Sequence, residues 1–350
     1  MSDAKRPVAV AVIGAGVIAD YHVGGLKAAG GADLVALVGR DAARTAARAA
    51  ELGIARAETD LGAVLGDPAI EAVVIATPDA THKVIAIEAL RAGKAVMLQK
   101  PMAMTSGECH AVMDAASETG RPLTVSFMHR YFAEVSWLRQ MLPRLGKVHA
   151  IRQRNATPGA DWADWFFSPG AVAGGVVMQL GVHGIDLVQH IFGPIAQTQA
   201  TMATMKPERR LADGRTVKSP FEDTVFASYT LAGGALVSHE MSFTERAGCD
   251  RFRLELYTDA GTVWLRSPRG PAAIFAPDVT GIADWVVPDL DEKPLGAAHH
   301  RHWLDVVRGD APPDDTAEAG FSTLVVAEHI YAAAESGGRL TIDPPLKRAP

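Results

Sequence analysis

The sequence predicts an α/β chain: an N-terminal doubly wound parallel sheet of the Rossmann type, then an α+β domain built on a large open, mainly antiparallel sheet. Three observations predict it. Short, continuous apolar runs alternate with alanine-rich helical stretches through the first third, the pattern of strands covered on both faces. The first run ends at a glycine turn that opens a helix. Beyond residue 128 the rhythm changes to strands joined by short glycine-containing turns.

The run Val8–Ile13 stops at Gly14 and leads into a helical stretch, Ile18–Ala29. Further runs at 34–38, 72–76, 95–98 and 123–127 supply more strands, with helices expected at Ala42–Leu52, 82–92 and from 105 towards 118. The last of these opens on Thr105-Ser106-Gly107-Glu108, a capping-box pattern. Right-handed crossovers between such strands give the doubly wound arrangement. In the second part strands are expected at 148–154, 224–231, 235–243, 251–258 and 262–265, and helices at 182–191, 300–307 and 317–335. Ala232-Gly233-Gly234 and Asp259-Ala260-Gly261 read as hairpin turns. The polar, Pro- and Gly-punctuated stretch 206–220 reads as an exposed loop. The implied domains are 1–128 and 129–350.

Length and charge agree. The chain has 350 residues, 48% of them hydrophobic, which at roughly 150 residues per domain means about two domains. Its 34 Lys+Arg against 40 Asp+Glu leave a net charge of −6, a poor match to nucleic acid or an anionic membrane. The two cysteines, Cys109 and Cys249, lie far apart and carry no metal-type spacing, so neither a disulfide framework nor a zinc site is expected and the reducing cytoplasm is the expected setting. Lys5 and Arg6 before an apolar run imitate the start of a secretory leader, but Gly14, Gly16, Asp20 and His22 interrupt it.

Gly14-Ala15-Gly16-Val17-Ile18-Ala19 fits G-x-G-x-x-A. Gly14 permits the tight turn, Gly16 lets the backbone approach a pyrophosphate, and Ala19 lets the helix pack on the strand. The N–H groups around Val17 and Ile18 would hold the anion. At the end of the second strand, Gly39-Arg40-Asp41 offers Arg40 for a 2′-phosphate and Asp41 for a ribose hydroxyl. The expected cofactor is therefore NAD or NADP, with a lean to NADP.

The phosphate turn, Ala76-Thr77-Pro78-Asp79-Ala80-Thr81-His82, Leu98-Gln99-Lys100-Pro101 and the stretch from Gly174-Gly175 through Gln179, Gly181 and His183 to Asp186 occur in that order. Together they resemble the glucose–fructose oxidoreductase/inositol dehydrogenase family, written Gfo/Idh/MocA. The resemblance spans nearly the whole chain, including the C-terminal helix with its Ala-Glu-His-Ile-Tyr pattern. It implies that Lys100 lies beside the nicotinamide and that His183 is the general acid or base. It further implies that Thr77, Pro78, His82 and Gln99 line the cofactor, that Gln179 and Asp186 flank the histidine, and that the C-terminal sheet forms a homodimer or homotetramer contact.

The chemistry agrees. Oxidising an alcohol with a nicotinamide needs a protein group to take the hydroxyl proton as hydride leaves. Histidine titrates near neutrality, and a lysine beside a positive ring has its ammonium disfavoured. Two positions depart from the family: Gln99 stands where it usually has glutamate, and Gln179 where it usually has aspartate. The loss of two acids suggests a pocket for an anionic substrate such as a sugar acid, read by Arg130, Arg152 or Arg154. Trp165, within the aromatic segment 162–167, is a candidate sugar wall. His129, Arg130 or Tyr131 is expected at the cofactor crevice. His299 or His302 is a candidate substrate contact, and no metal is expected from the histidine run 299–302. The expected activity is hydride transfer between nicotinamide and a hydroxyl or keto carbon of a sugar, polyol or sugar acid. The rivals are NAD-dependent glycoside cleavage through transient oxidation, and a non-catalytic cofactor-binding regulator.

Overall fold

A computed structural model describes residues 6–247 and 251–343. Cys249 and the first five residues, where a leader segment was considered, lie outside the described residues. The order begins β1 (Val8–Ile13), α1 (Ile18–Ala29), β2 (Ala32–Val38), α2 (Ala42–Leu52), β3 (Arg56–Glu58), α3 (Leu61–Leu65), β4 (Ala72–Ile75), α4 (His82–Arg91), β5 (Ala95–Leu98), α5 (Ser106–Thr119) and β6 (Leu123–Val125). These six strands form one sheet in the order β3-β2-β1-β4-β5-β6, with every pairing parallel. The strand order reverses between β1 and β4, which leaves a crevice beyond their carboxyl ends. Thr105 accepts a hydrogen bond from the Glu108 amide and so caps α5. The Glu108 carboxylate returns to the Met104 amide rather than to that of the cap itself.

The chain continues with α6 (Ala133–Met141), β7 (Val148–Ala156), α7 (Val182–Phe192), β8 (Ile195–Ala203), β9 (Glu208–Arg210), β10 (Thr216–Lys218), β11 (Thr224–Leu231), β12 (Leu236–Ser242), β13 (Arg253–Thr258), β14 (Thr262–Ser267), β15 (Gly270–Phe275), α8 (Pro277–Thr280), α9 (Ala297–Arg308), α10 (Thr316–Ser336) and β16 (Leu340–Thr341). Eight of these strands form the second sheet in the order β15-β14-β13-β7-β12-β11-β8-β16. It is antiparallel throughout except where β7 and β12 run parallel. Along β12, Val237, His239 and Met241 are buried while Leu236, Ser238 and Glu240 are exposed, the alternation of a sheet covered on one face.

Two features differ from the sequence reading. The stretch 206–220 contains the β9–β10 hairpin. Arg209 is buried there, donating to Asp223 at 2.7 Å and to the Phe243 carbonyl at 2.7 Å, and Leu211 packs with Ala160 and Phe167. A segment that buries an ion pair and a leucine cannot remain a solvated loop, and its polar composition concealed this. The division of the chain also differs. One compact unit is Met1–Tyr131 with Lys293–Phe321; the other is Phe132–Glu292 with Ser322–Pro350. The segment 129–350 is thus interrupted, because α9 belongs to the core of the first unit: Trp303 and Leu304 are fully buried with Val10, Val12, Val74 and Met97.

Replacing Trp303 by alanine removes the largest side chain of that set. Trp303→Ala is expected to lower the unfolding free energy by about 3–5 kcal/mol, read as a lowered urea midpoint. A loss below ~1 kcal/mol would show that α9 is not part of this core.

Candidate active site

The phosphate turn is built by exclusion. Gly14 has φ 115°, and a Cβ there would stand 2.3 Å from the Ala76 carbonyl oxygen, at the end of β4. Its amide donates to the Val38 carbonyl at 2.8 Å. Gly16 is the opposite case: a Cβ there would meet nothing within 4 Å. Open space therefore faces the turn. No side chain caps α1, Val17 is 56% exposed and Ile18 38% exposed, while Ala19 is fully buried against the sheet. Uncapped helix-start amides beside an open glycine fit the pyrophosphate of a dinucleotide. At the end of β2, Arg40 is exposed. Asp41 accepts from the Arg44 amide at 2.8 Å and caps α2, so its carboxylate already has a structural use.

Gly14, Thr77 and Lys100 follow the carboxyl ends of three adjacent strands, β1, β4 and β5. Two histidines brace the loops between them. The His82 ring lies 2.7 Å from the Pro101 carbonyl and 2.9 Å from the Thr77 carbonyl, so it ties these loops together instead of presenting a ring to a ligand. Gln99 is also turned inward. Its side-chain nitrogen lies 3.0 Å from His22 Nε2, and its oxygen accepts from the Lys100 amide at 2.9 Å. His22 Nδ1 lies 3.0 Å from His300 Nε2, and His300 Nδ1 lies 2.8 Å from the Gly296 carbonyl. His299 is buried with its Nδ1 2.9 Å from the Tyr21 hydroxyl and its ring stacked on Tyr131 at 4.7 Å. The histidine run is therefore largely internal hydrogen-bonding structure. His302 is half-buried, 3.8 Å from Asp314.

In the second unit, Gln179, His183 and Asp186 are all buried. Gln179 lies in one turn of wider π-helix, Val177–Gly181, that leads directly into α7, which carries His183 and Asp186. Such π turns are frequent at functional sites because they re-aim the side chains they carry. The glycines around them permit close packing. A Cβ on Gly175 would stand 2.1 Å from the Glu222 carbonyl, one on Gly181 would stand 2.3 Å from Met241 Sδ, and one on Gly184 would stand 2.1 Å from Asn155 Oδ1. Glu222 was not singled out in the sequence. Its carboxylate accepts from the Gly175 amide at 3.3 Å, the Val177 amide at 3.1 Å and the Tyr331 hydroxyl at 2.8 Å. It therefore fixes the start of the segment that carries His183, although burial pushes its carboxyl above the usual range. Its only sequence signal is an acid just before a strand, which is too common to read.

The three arginines proposed as anion readers are each neutralised. Arg130 is buried and donates to Asp315 at 2.6 Å. Arg152 faces Glu255 at 3.3 Å and lies over the Tyr257 ring. Arg154 pairs with Glu240 and Glu245. An arginine already facing a carboxylate offers a substrate anion little net attraction. Tyr131 donates to Asp314 at 2.8 Å. Trp165 is half-buried and packs on Phe166, with ring centroids 5.7 Å apart. Among the described residues no group of three or more potential ligands could hold a metal ion, and no helix is long and apolar enough to cross a membrane.

The phosphate turn and the reversed sheet define a dinucleotide-binding α/β protein. The profile described as "Oxidoreductase family, NAD-binding Rossmann fold" matches residues 8–127, and the GFO/IDH/MocA C-terminal domain matches 137–264. Inositol 2-dehydrogenase 2 of Saccharopolyspora erythraea is 31% identical over 263 residues, 74% of this chain and 73% of that one. The chain belongs to the Gfo/Idh/MocA oxidoreductase family. The 1,5-anhydro-D-fructose reductase of Ensifer adhaerens is 25% identical across 96% of this chain and 98% of its own. The fold also matches that of levoglucosan dehydrogenase in complex with NADH, with a TM-score of 0.86 and 19% identity over 97% of this chain and 100% of that one.

Two expectations follow. Gly16→Ala should weaken NADH binding by about tenfold or more and leave the melting temperature unchanged. Gly14→Ala should instead cost about 2 kcal/mol or more of stability, from its positive φ and the clash with Ala76. Equal melting temperatures for the two variants would refute the distinction. The second concerns pH. Burial holds His22 and His299 well below the ordinary imidazole range, with neighbouring histidines adding to it, and pushes His300 down to about 4 and His239 to about 3 from the usual 6.5. The unfolded chain therefore takes up these protons first. The stability they contribute is complete above pH 6.5 and is lost as pH falls towards 4, by about 1.4 kcal/mol per pH unit for each histidine. Urea midpoints should fall steeply across that interval, and His239→Gln should reduce the slope by about one proton. An unchanged slope in that variant would refute the assignment.

Proposed function

We propose that this chain transfers hydride between a nicotinamide and a hydroxyl or keto carbon of an uncharged sugar or polyol, with Lys100 and His183 handling the proton. The observation that carries the reading is that Lys100 follows β5 while the phosphate turn follows β1. The two sit at the same edge of one parallel sheet, next to its point of reversal. A bound nicotinamide supplies or accepts the hydride. Lys100 holds the reacting oxygen by hydrogen bonding and bears its proton as charge develops there. His183, carried on α7, serves as an acid or base, since imidazole exchanges a proton near neutrality. Gln179 orients that ring without charging it, since an amide has no negative charge to raise a histidine's basicity. The neutralised arginines favour an uncharged substrate over the sugar acid that the missing acids first suggested. The relatives named for inositol and for an anhydrofructose point the same way.

For the cofactor, we propose that Arg40 lets NADP(H) be used alongside NAD(H). Asp41 is spent on a helix cap, which leaves an exposed guanidinium as the charged group at the end of β2. The outward face of the second sheet, where Phe226 is 57% exposed and Leu236 60% exposed, supports a homodimer or homotetramer contact. Scarce cysteines and mild acidity support the cytoplasm as its setting.

Lys100→Met and His183→Asn should each lower kcat by about 10²–10⁴-fold while NADH binding is retained. The assay is a panel of inositols, anhydrosugars and sugar acids with each cofactor. Faster turnover of the sugar acids would overturn the uncharged-substrate reading. Full turnover in either variant would remove that residue from the mechanism. Arg40→Ser should raise the KM for NADP by roughly tenfold and leave that for NAD unchanged. Equal effects on both would show that Arg40 does not read the 2′-phosphate.

A further inference from the structure

Four hydrogen bonds join α9 to the lysine loop: Gly296 O to His300 Nδ1 at 2.8 Å, His300 Nε2 to His22 Nδ1 at 3.0 Å, His22 Nε2 to Gln99 Nε2 at 3.0 Å, and Gln99 Oε1 to the Lys100 amide at 2.9 Å. All of these groups lie within the first unit. His22 and His300 are 0% exposed and Gln99 is 6% exposed, so water does not relieve a mismatched pair.

The polarity of this chain is set by its ends. A carbonyl oxygen only accepts and a peptide N–H only donates. The Gly296 carbonyl requires a hydrogen on His300 Nδ1. A neutral His300 then presents a lone pair at Nε2, which requires a hydrogen on His22 Nδ1. A neutral His22 in turn presents a lone pair at Nε2, which requires a donor from residue 99. The Lys100 amide requires an acceptor from the same residue. A side-chain amide carries one of each. A carboxylate carries only acceptors, and would set an anion against the His22 lone pair unless His22 gained a second proton.

We propose that His22 and Gln99 are positioning residues for Lys100, and that glutamine at 99 keeps the connection from α9 through α1 to the lysine loop uncharged. This rests on the reading of Lys100 as a reacting residue. Because His22 lies on the helix that opens at the phosphate turn, the connection also ties the lysine loop to the cofactor helix. It accounts for the glutamine as a donor matched to a neutral histidine, with no appeal to substrate charge. The titratable groups around His22 are Tyr21 on its own helix, with ring centroids 5.1 Å apart, and His299 and His300 on α9; Lys100 follows Gln99 on the loop after β5. Burial and the two neighbouring histidines both favour the neutral ring.

The test needs no substrate. Imidazole ¹⁵N spectra of the full chain at pH 7 should show His22 neutral with its hydrogen on Nδ1. Amide exchange of Lys100, read with ¹⁵N-lysine labelling, should quicken about tenfold in His22→Phe. His22→Gln, which again offers one donor and one acceptor, should restore most of the protection. Gln99→Glu should keep the Lys100 amide protected but convert His22 to the imidazolium at pH 7, and should make that protection pH-dependent. His22→Phe and Gln99→Ala should not add in the double variant, because each breaks the same chain. A hydrogen on His22 Nε2 in the wild type, unchanged exchange in His22→Phe, additive effects in the double variant, or a neutral His22 in Gln99→Glu would each overturn the proposal. Full turnover in Lys100→Met would instead overturn the reading of Lys100, whatever the spectra show.

Discussion

At Gly14 the end of β1 meets the end of β4 with room for a hydrogen and nothing larger. That contact, with the Ala76 carbonyl where a Cβ would be, sets the first unit. It brings the loops after two strands together at the point where the strand order reverses, and it leaves α1 starting beside open space. β5 pairs next to β4, so the lysine loop lies along the same edge. The cofactor turn, the Thr77–Pro78 loop and Lys100 therefore share one rim because three neighbouring strands end there in parallel.

Charge is handled locally. The chain carries a net −6, yet the side chain that accepts from the Lys100 amide is a glutamine amide, joined in series to two buried imidazoles. Farther away, several arginines are matched by acids, Arg48 and Arg154 by two each. Arg209–Asp223 and Arg130–Asp315 are buried or partly buried examples, in which removing one partner would leave the other uncompensated. Positive groups that the sequence offers as ligand readers are thus largely occupied with holding the fold.

Much of this was legible in advance, and the boundary of legibility has a physical cause. Strands β1, β4 and β5 and helices α1 and α2 were readable because continuous apolar runs and alanine-rich periodicity depend on nearest neighbours alone. The phosphate turn was readable because its glycines answer to local backbone geometry. The β9–β10 hairpin was not, because what holds Arg209 and Leu211 is a distant aspartate and a distant aromatic cluster. Glu222, which caps the segment bearing His183, lies some forty residues away from it in sequence. The placement of α9 in the first core escaped for the same reason: a buried Trp303 reads as apolar but does not say which core receives it.

The sequence by itself determined the order of the elements, the dinucleotide turn and the residues eligible for the chemistry, since each follows from short-range pattern and covalent geometry. Only the tertiary structure decided what those residues are free to do. It spent Asp41 on a helix cap, His82 on bracing two loops, and three arginines on neighbouring carboxylates. It turned Gln99 from an apparent loss of charge into one link of a neutral hydrogen-bonded chain. A side chain's eligibility is a property of its type. Its availability depends on which partners the fold brings within about 3 Å, and some of those partners, such as His300 for His22, are separated from it by most of the chain.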